Sequence, residues 1–97
     1  MEGEVIAFEE VCVNGNVAIL NQDIYAPADG TQGARAFISA EGGDMRYRLD
    51  GEDPTAESGH LLKDGNTLDL NSIYLIRKFK VINVGETPGK VSVSYES

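Results

Sequence analysis

The sequence predicts an all-β fold: an antiparallel β-sandwich of about seven or eight short strands, immunoglobulin-like or jelly-roll-like. Short runs of alternating apolar and polar residues recur along the chain, which is typical of strands with one buried face. Turn-forming residues separate these runs at intervals of about 8 to 12 residues. No long window keeps the apolar spacing of a helix without a Gly or Pro. With 97 residues, we expect residues 1–97 to form a single sandwich domain.

The first third of the chain predicts a hairpin followed by a loop. Residues 5–13 form a β-branched run and residues 17–20 a second apolar run. Between them, Asn14-Gly15-Asn16 suits a type I′ turn, because Asn and Gly tolerate positive φ. Residues 21–33 are rich in Pro, Gly, Asp and Asn, so they predict a long loop.

The remaining strands follow in close succession. Met45, Tyr47 and Leu49 should share one face of their strand. The longest β-prone run should place Phe79 in the core, because Phe79 shares the parity of its apolar neighbours. The predicted strands are residues 34–40, 45–49, 61–62, 67–70, 73–84 and 91–95.

Composition limits the classes of partner. The net charge of −8 weighs against a polyanion, so we expect no nucleic acid partner. In the basic cluster of Arg77, Lys78 and Lys80 beside Phe79, the lysines then form a solvated face or protect a sheet edge against aggregation. No apolar stretch is long enough for a membrane helix, so we expect no membrane partner. The acidic start of the sequence lacks a signal-peptide pattern, which predicts synthesis in the cytoplasm.

The single cysteine, Cys12, lies within the apolar run VCV and should be a small buried hydrophobe. A nucleophilic Cys12 would need the single histidine, His60, as its base. No Gly-x-Ser-x-Gly elbow supports a serine nucleophile. We therefore expect no enzymatic activity and no catalytic residues.

The run RYRLDGEDPTAESG, residues 46–59, contains four carboxylates that are weak candidates for calcium ligation: Asp50, Glu52, Asp53 and Glu57. They do not follow the order of ligands in an EF-hand loop, although another calcium loop stays open. Turn chemistry explains them more simply, since Asp-Gly permits positive φ and Asp and Thr side chains bond nearby backbone N–H groups. The interpretation is a structural corner without metal or cofactor, formed by Arg46, Arg48, Asp50, Gly51, Asp53, Pro54 and Thr55. Arg46 and Arg48 could reach back to the carboxylates of this run or to a neighbouring strand, and bidentate Arg–carboxylate pairs would then hold the loop.

Carbohydrate binding is a further alternative. Sugar-binding surfaces stack rings on exposed aromatic side chains, and the chain has no Trp. Tyr25 is the one aromatic residue that the sequence places clearly in a loop, so Tyr25 is the candidate ligand contact.

The same stretch carries two resemblances. RYRLDGEDPT resembles the strand-and-turn motif of chitobiase C-terminal-like, fibronectin-III-associated sandwich modules, which are accessory domains of secreted enzymes. Over roughly residues 30–97 the chain is also similar to short phage and prophage virion-associated β-proteins. The shared order is Arg46-Tyr47-Arg48, Asp50-Gly51, Pro54-Thr55, Gly59-His60-Leu61, Gly65 and a closing Val-x-Val-x-Tyr strand.

The phage resemblance implies a non-enzymatic structural or interaction protein, a capsid- or tail-associated virion component that acts by self-association and docking. Its partners would be further copies of the chain or other virion proteins. The protein would pass from the host cytoplasm into the virion. The alternatives are a carbohydrate-binding module and a calcium-dependent adhesion or assembly module.

Overall fold

The computed structural model describes residues 5–26 and 33–97, and within these ranges it contains eight strands and two short helices. The helices are α1 (Gln22–Tyr25) and α2 (Ile73–Lys78). The strands are β1 (Val5–Val13), β2 (Ala18–Ile19), β3 (Arg35–Gly42), β4 (Met45–Arg48), β5 (His60–Leu62), β6 (Thr67–Leu70), β7 (Lys80–Asn83) and β8 (Gly89–Glu96).

The strands form two antiparallel sheets of four strands each. The first sheet has the order β1-β8-β3-β6 and the second has the order β2-β7-β4-β5. The pairs β1 with β8, β2 with β7, β3 with β6 and β4 with β5 are therefore nested, as in a long hairpin rolled into two sheets. This nesting is the strand order of a jelly roll, and it confirms the predicted all-β sandwich.

The core lies between the sheets and is filled by alternate residues of each strand. In β8, Val91, Val93 and Tyr95 are fully buried, as their parity predicts. Met45 of β4 and Val81 of β7 meet them from the second sheet. Burying each such side chain stabilises the fold by roughly 1.5–3 kcal/mol.

The expected hairpin at Asn14-Gly15-Asn16 is wrong, because β1 and β2 belong to different sheets. Gly15 has the positive φ of 85°, but no non-glycine residue in the described ranges has positive φ, which excludes a type I′ turn here. Instead, the Gly15 N–H donates to Oδ1 of the buried Asn83 at 2.7 Å. The segment is thus a corner that carries the chain from one sheet to the other.

The single strand expected at 73–84 is also wrong, because the run divides into α2 and β7. The Ser72 hydroxyl caps the helix by accepting from the N–H groups of Tyr74 (3.0 Å) and Leu75 (3.4 Å). Helical spacing then buries Ile76. A continuous strand would instead have buried the residues on either side of Ile76 and turned Ile76 outwards. Phe79 ends the helix fully buried, which confirms that prediction.

The predicted loop at 21–33 contains helix α1, which the prediction missed. The Asn21 side chain accepts from the Asp23 N–H at 2.9 Å and starts the turn. The part of the loop at 27–32 lies outside the described residues. In the described part of the chain, no helix is long and apolar enough to cross a membrane.

Candidate functional site

The loop between β4 and β5 is held by Arg46, which points back from the strand. Arg46 Nε donates to the carbonyl of Ala56 at 3.1 Å, and Arg46 Nη1 donates to the carbonyl of Gly59 at 2.7 Å. Gly59 has a φ of 133°, a region that favours glycine. Arg46 thus fixes the loop through its backbone, rather than through the carboxylates that the sequence suggested.

Arg48 faces Asp50 in a bidentate pair. Arg48 Nε donates to Asp50 Oδ1 at 3.0 Å, while Arg48 Nη2 donates to Oδ2. The Glu52 N–H also donates to Asp50 Oδ1, at 3.1 Å. The hydrogen bond from Arg48, followed by the backbone bond from Glu52, lowers the pKa of Asp50 to about 2. Both oxygens of this carboxylate are therefore engaged by protein donors.

The rest of the corner is also paired within the protein. Asp53 Oδ1 accepts from Lys80 Nζ of β7 at 3.1 Å, and Thr55 Oγ1 accepts from the Glu57 N–H at 3.2 Å. Pro54, which lies between Asp53 and Thr55 in the sequence, is fully buried, and Gly51 has a φ of 87°. Over residues 5–26 and 33–97, no group of three or more His, Cys, Asp and Glu side chains is arranged to hold a metal ion.

Tyr25 does not offer the exposed ring that the sequence predicted. Its side chain is 4% exposed and its ring lies 5.7 Å from that of Tyr95. The Tyr95 hydroxyl donates to Glu9 Oε2 at 2.5 Å, and Glu9 Oε2 also accepts from the Asn21 N–H. Burial raises the pKa of Tyr25, and burial together with Glu9 raises that of Tyr95. Helix α1 therefore turns Tyr25 into the core, so its ring is not the exposed platform for stacking that the sequence predicted.

Cys12 is exposed, so the prediction that it is buried is wrong. In the strand β1, Val11 and Val13 face the core, and alternation directs the residue between them outwards. Cys12 lies opposite Lys90 in the first sheet, whereas His60 belongs to β5 in the second sheet. The two residues of the hypothetical nucleophilic pair are thus in different sheets.

The first sheet carries a face directed away from the core, which we call the outer face. Its members are the outward residues of four strands, and the register places them in rows across β1, β8, β3 and β6. The rows are Val5, Glu96 and Arg35; Phe8, Ser94, Phe37 and Asp69; Glu10, Ser92, Ser39 and Thr67; and Cys12, Lys90 and Glu41.

Two aromatic rings stand on this outer face. Phe8 is 56% exposed and Phe37 is 43% exposed, and both lie opposite Ser94. Two strand spacings put their Cα atoms about 10 Å apart. Val5, 60% exposed, extends the apolar patch along β1. Large exposed apolar side chains that cluster on a sheet indicate a contact surface.

The sequence analysis missed Phe8 and Phe37 as surface residues. For Phe37 a signal was present, because the buried Ala36 and Ile38 flank it and strict alternation turns Phe37 outwards. For Phe8 the signal was hidden by an irregularity in β1 between Val5 and Ala7, which shifts the parity of the strand.

Comparisons with known proteins add little to this geometry. No family model matches the chain, and no curated protein matches it significantly. Among solved structures, the chain is similar to a de novo designed double-stranded beta-helix determined by solution NMR, with 18% identity and a TM-score of 0.43. The alignment covers 98% of this chain and 88% of that one. At this level the likeness carries no argument, so the fold assignment rests on strand order.

Proposed function

We propose that the chain is a non-enzymatic structural protein that self-associates and docks on a larger assembly, as a capsid- or tail-associated component of a phage or prophage virion. The observation that carries the self-association is the outer face, where Phe8 and Phe37 stand exposed on either side of Ser94. Water is excluded from such rings when a second surface covers them, and this burial drives association.

The virion setting is supported by the phage resemblance and by the architecture. Jelly rolls occur in viral capsid proteins, and also in lectins and cupins, so the fold is an analogy rather than a proof of role. A small sandwich that makes weak contacts is useful in a symmetric particle, because repeated contacts add through multivalency. Capsid or tail genes beside the coding gene would support this setting, and an operon of metabolic enzymes would contradict it.

The two alternative functions have less support than the outer face. The carbohydrate-binding hypothesis depended on Tyr25, which is packed against Tyr95. The calcium hypothesis depended on the carboxylates of the corner, where Asp50 pairs with Arg48 and Asp53 with Lys80. We therefore base the proposal on the outer face and not on the corner.

Sedimentation velocity over a range of concentrations tests self-association. We expect the wild-type chain to shift from monomer towards a larger species as its concentration rises. Phe8→Ser and Phe37→Ser should weaken this shift, because they remove the apolar contact. Tyr74→Ser is the matched control, because Tyr74 is 69% exposed but lies on α2 and is not a member of the outer face. A wild-type chain that stays monomeric at the highest concentration would refute the proposal.

A further inference from the structure

We infer that the partner of the outer face is a second copy of the same face, related to the first by a two-fold axis that runs along the strands between β8 and β3. This inference rests on the proposed self-association and adds to it a surface, a partner and an orientation. It follows from the charges at the ends of the face, the shapes of its middle rows and the size of the surface.

The four charges at the ends of β8 and β3 form a self-complementary pattern. Glu96 and Arg35 lie side by side in one end row, and Lys90 and Glu41 lie side by side in the other. Rotation about the proposed axis places β8 of one copy over β3 of the other. Each end row then lies over the same end row of the second copy. Glu96 then meets Arg35 of the second copy, and Lys90 meets Glu41 of the second copy. All four end positions face opposite charges, each pair occurring twice by symmetry.

These four charges also sum to zero, in a chain whose net charge is −8. Lys90 is held in place within its own sheet by Glu10 at 3.4 Å and Glu41 at 3.5 Å. Like-charge repulsion opposes association of a strongly acidic chain with itself. The two central strands of the outer face therefore add no net like-charge repulsion when two copies approach each other.

The middle rows complement each other in size under the same rotation. Phe37 on β3 lies over Ser94 on β8 of the second copy, so that a large side chain meets a small one. Phe8 on β1 lies over β6 of the second copy, near Asp69. A cavity of about 180 Å³ opens beside Asp69, lined by Arg35, Asp69, Asn71 and Glu96 together with Phe37 and Leu70, and the Phe8 ring of the second copy would lie at its edge. Rotation about an axis across the strands would also place opposite charges over each other at the end positions, but it would place Phe8 over Glu10, away from this cavity.

The size of the outer face predicts a weak contact. Four strands of this length present roughly 20 Å by 20 Å, or about 400 Å² from each copy. The total of about 800 Å² lies below the range of stable specific interfaces. The dimer should therefore form at high concentration and dissociate on dilution, which suits an assembly stabilised by many copies.

Paired charge reversals test the inference. Arg35→Glu places a like charge over Glu96 of the second copy, and Glu96→Arg places one over Arg35. Each variant alone should dimerise about tenfold more weakly than the wild type, because the repulsive contact occurs twice. An equimolar mixture of the two should regain dimerisation, because every contact in the heterodimer is attractive. The mixture cannot restore the Arg35 and Glu96 neighbours within one chain, so recovery reports contacts between chains.

A second mixture tests the orientation. Glu41→Arg mixed with Arg35→Glu would recover only for an axis across the strands, and our geometry predicts no recovery. Sedimentation velocity measures the association, and thermal melts of each variant show that it is folded. If the wild type dimerises but neither variant weakens the dimer, or the first mixture fails to recover, the inference is wrong while the proposed self-association stands. If the wild type never associates, both fail.

Discussion

The two arginines of the RYR run should differ in their effect on stability, and Arg46→Met is the sharpest test. Met keeps much of the aliphatic stem but removes the donors to the carbonyls of Ala56 and Gly59, which are part-buried. A hydrogen bond from a charged group contributes about 1.5–3 kcal/mol at most, and partial exposure reduces this. For the two bonds together we expect a loss of about 2 kcal/mol in the free energy of unfolding.

Such a loss lowers the melting temperature measurably. One kcal/mol corresponds to roughly 4–8 °C for a domain of up to about 100 residues, so Arg46→Met should lower Tm by about 10 °C. Calorimetry gives Tm directly, and urea denaturation gives the free energy with an unchanged slope.

Arg48→Met is the matched control, since it lies two residues along the same strand. Its ion pair with Asp50 is largely solvent-exposed, with side chains that are 33% and 53% accessible, and water screens such pairs. We expect a smaller change in Tm for Arg48→Met than for Arg46→Met. If Arg48→Met destabilised the protein as much as Arg46→Met, or if Arg46→Met had no effect, the assignment of Arg46 as the residue that fixes the corner would be wrong.

Three further perturbations test separate parts of the structure. Because the pKa of Asp50 falls to about 2 on folding, its pair with Arg48 stabilises the protein above about pH 4, and this stabilisation is lost as the pH falls towards 2. Asp50→Asn should therefore flatten this part of the stability profile in acid melts, and an unchanged profile would contradict the pairing. Ser72→Ala removes the cap of α2 and should lower the free energy of unfolding, measured by urea denaturation, by about 1 kcal/mol. Ser94→Ala on the outer face should lower it little, and equal effects of the two substitutions would argue against the capped helix. In a dilute sample of the monomer, the exposed Cys12 should react with a thiol reagent without prior unfolding, and protection until denaturation would contradict its outward orientation on β1.

The fold class could be predicted because alternation is a local property. In β8, Val91, Val93 and Tyr95 are inward and the serines between them outward, a pattern that needs no knowledge of the partner strands. The turns of the corner could be predicted for the same reason, because Asp50 and Thr55 bond to residues that lie only a few positions away in the sequence. The partner of Asp53, which is Lys80, and the targets of Arg46 were not local, and for Arg46 the sequence indicated carboxylates where the structure has carbonyls.

The missed features depend on tertiary packing. The run at 73–84 is rich in β-branched residues, but the Ser72 cap and the burial of Ile76 favour a helical turn before β7. Tyr25 is surrounded by loop-forming residues, yet a short helix packs it on Tyr95 from the far end of the chain. The outer face could not be foreseen, because its rows combine β1, β3, β6 and β8, and their register is set by pairing between distant segments.

The chain should meet a second copy of itself through the outer face of the first sheet. Nuclear magnetic resonance spectra of the isotope-labelled chain, recorded from millimolar to low micromolar concentration, test this most directly. We predict that the concentration-dependent shifts cluster on β1, β8 and β3, with the aromatic signals of Phe8 and Phe37 among the largest. Shifts centred on the second sheet, or spectra that do not change with concentration, would contradict the account.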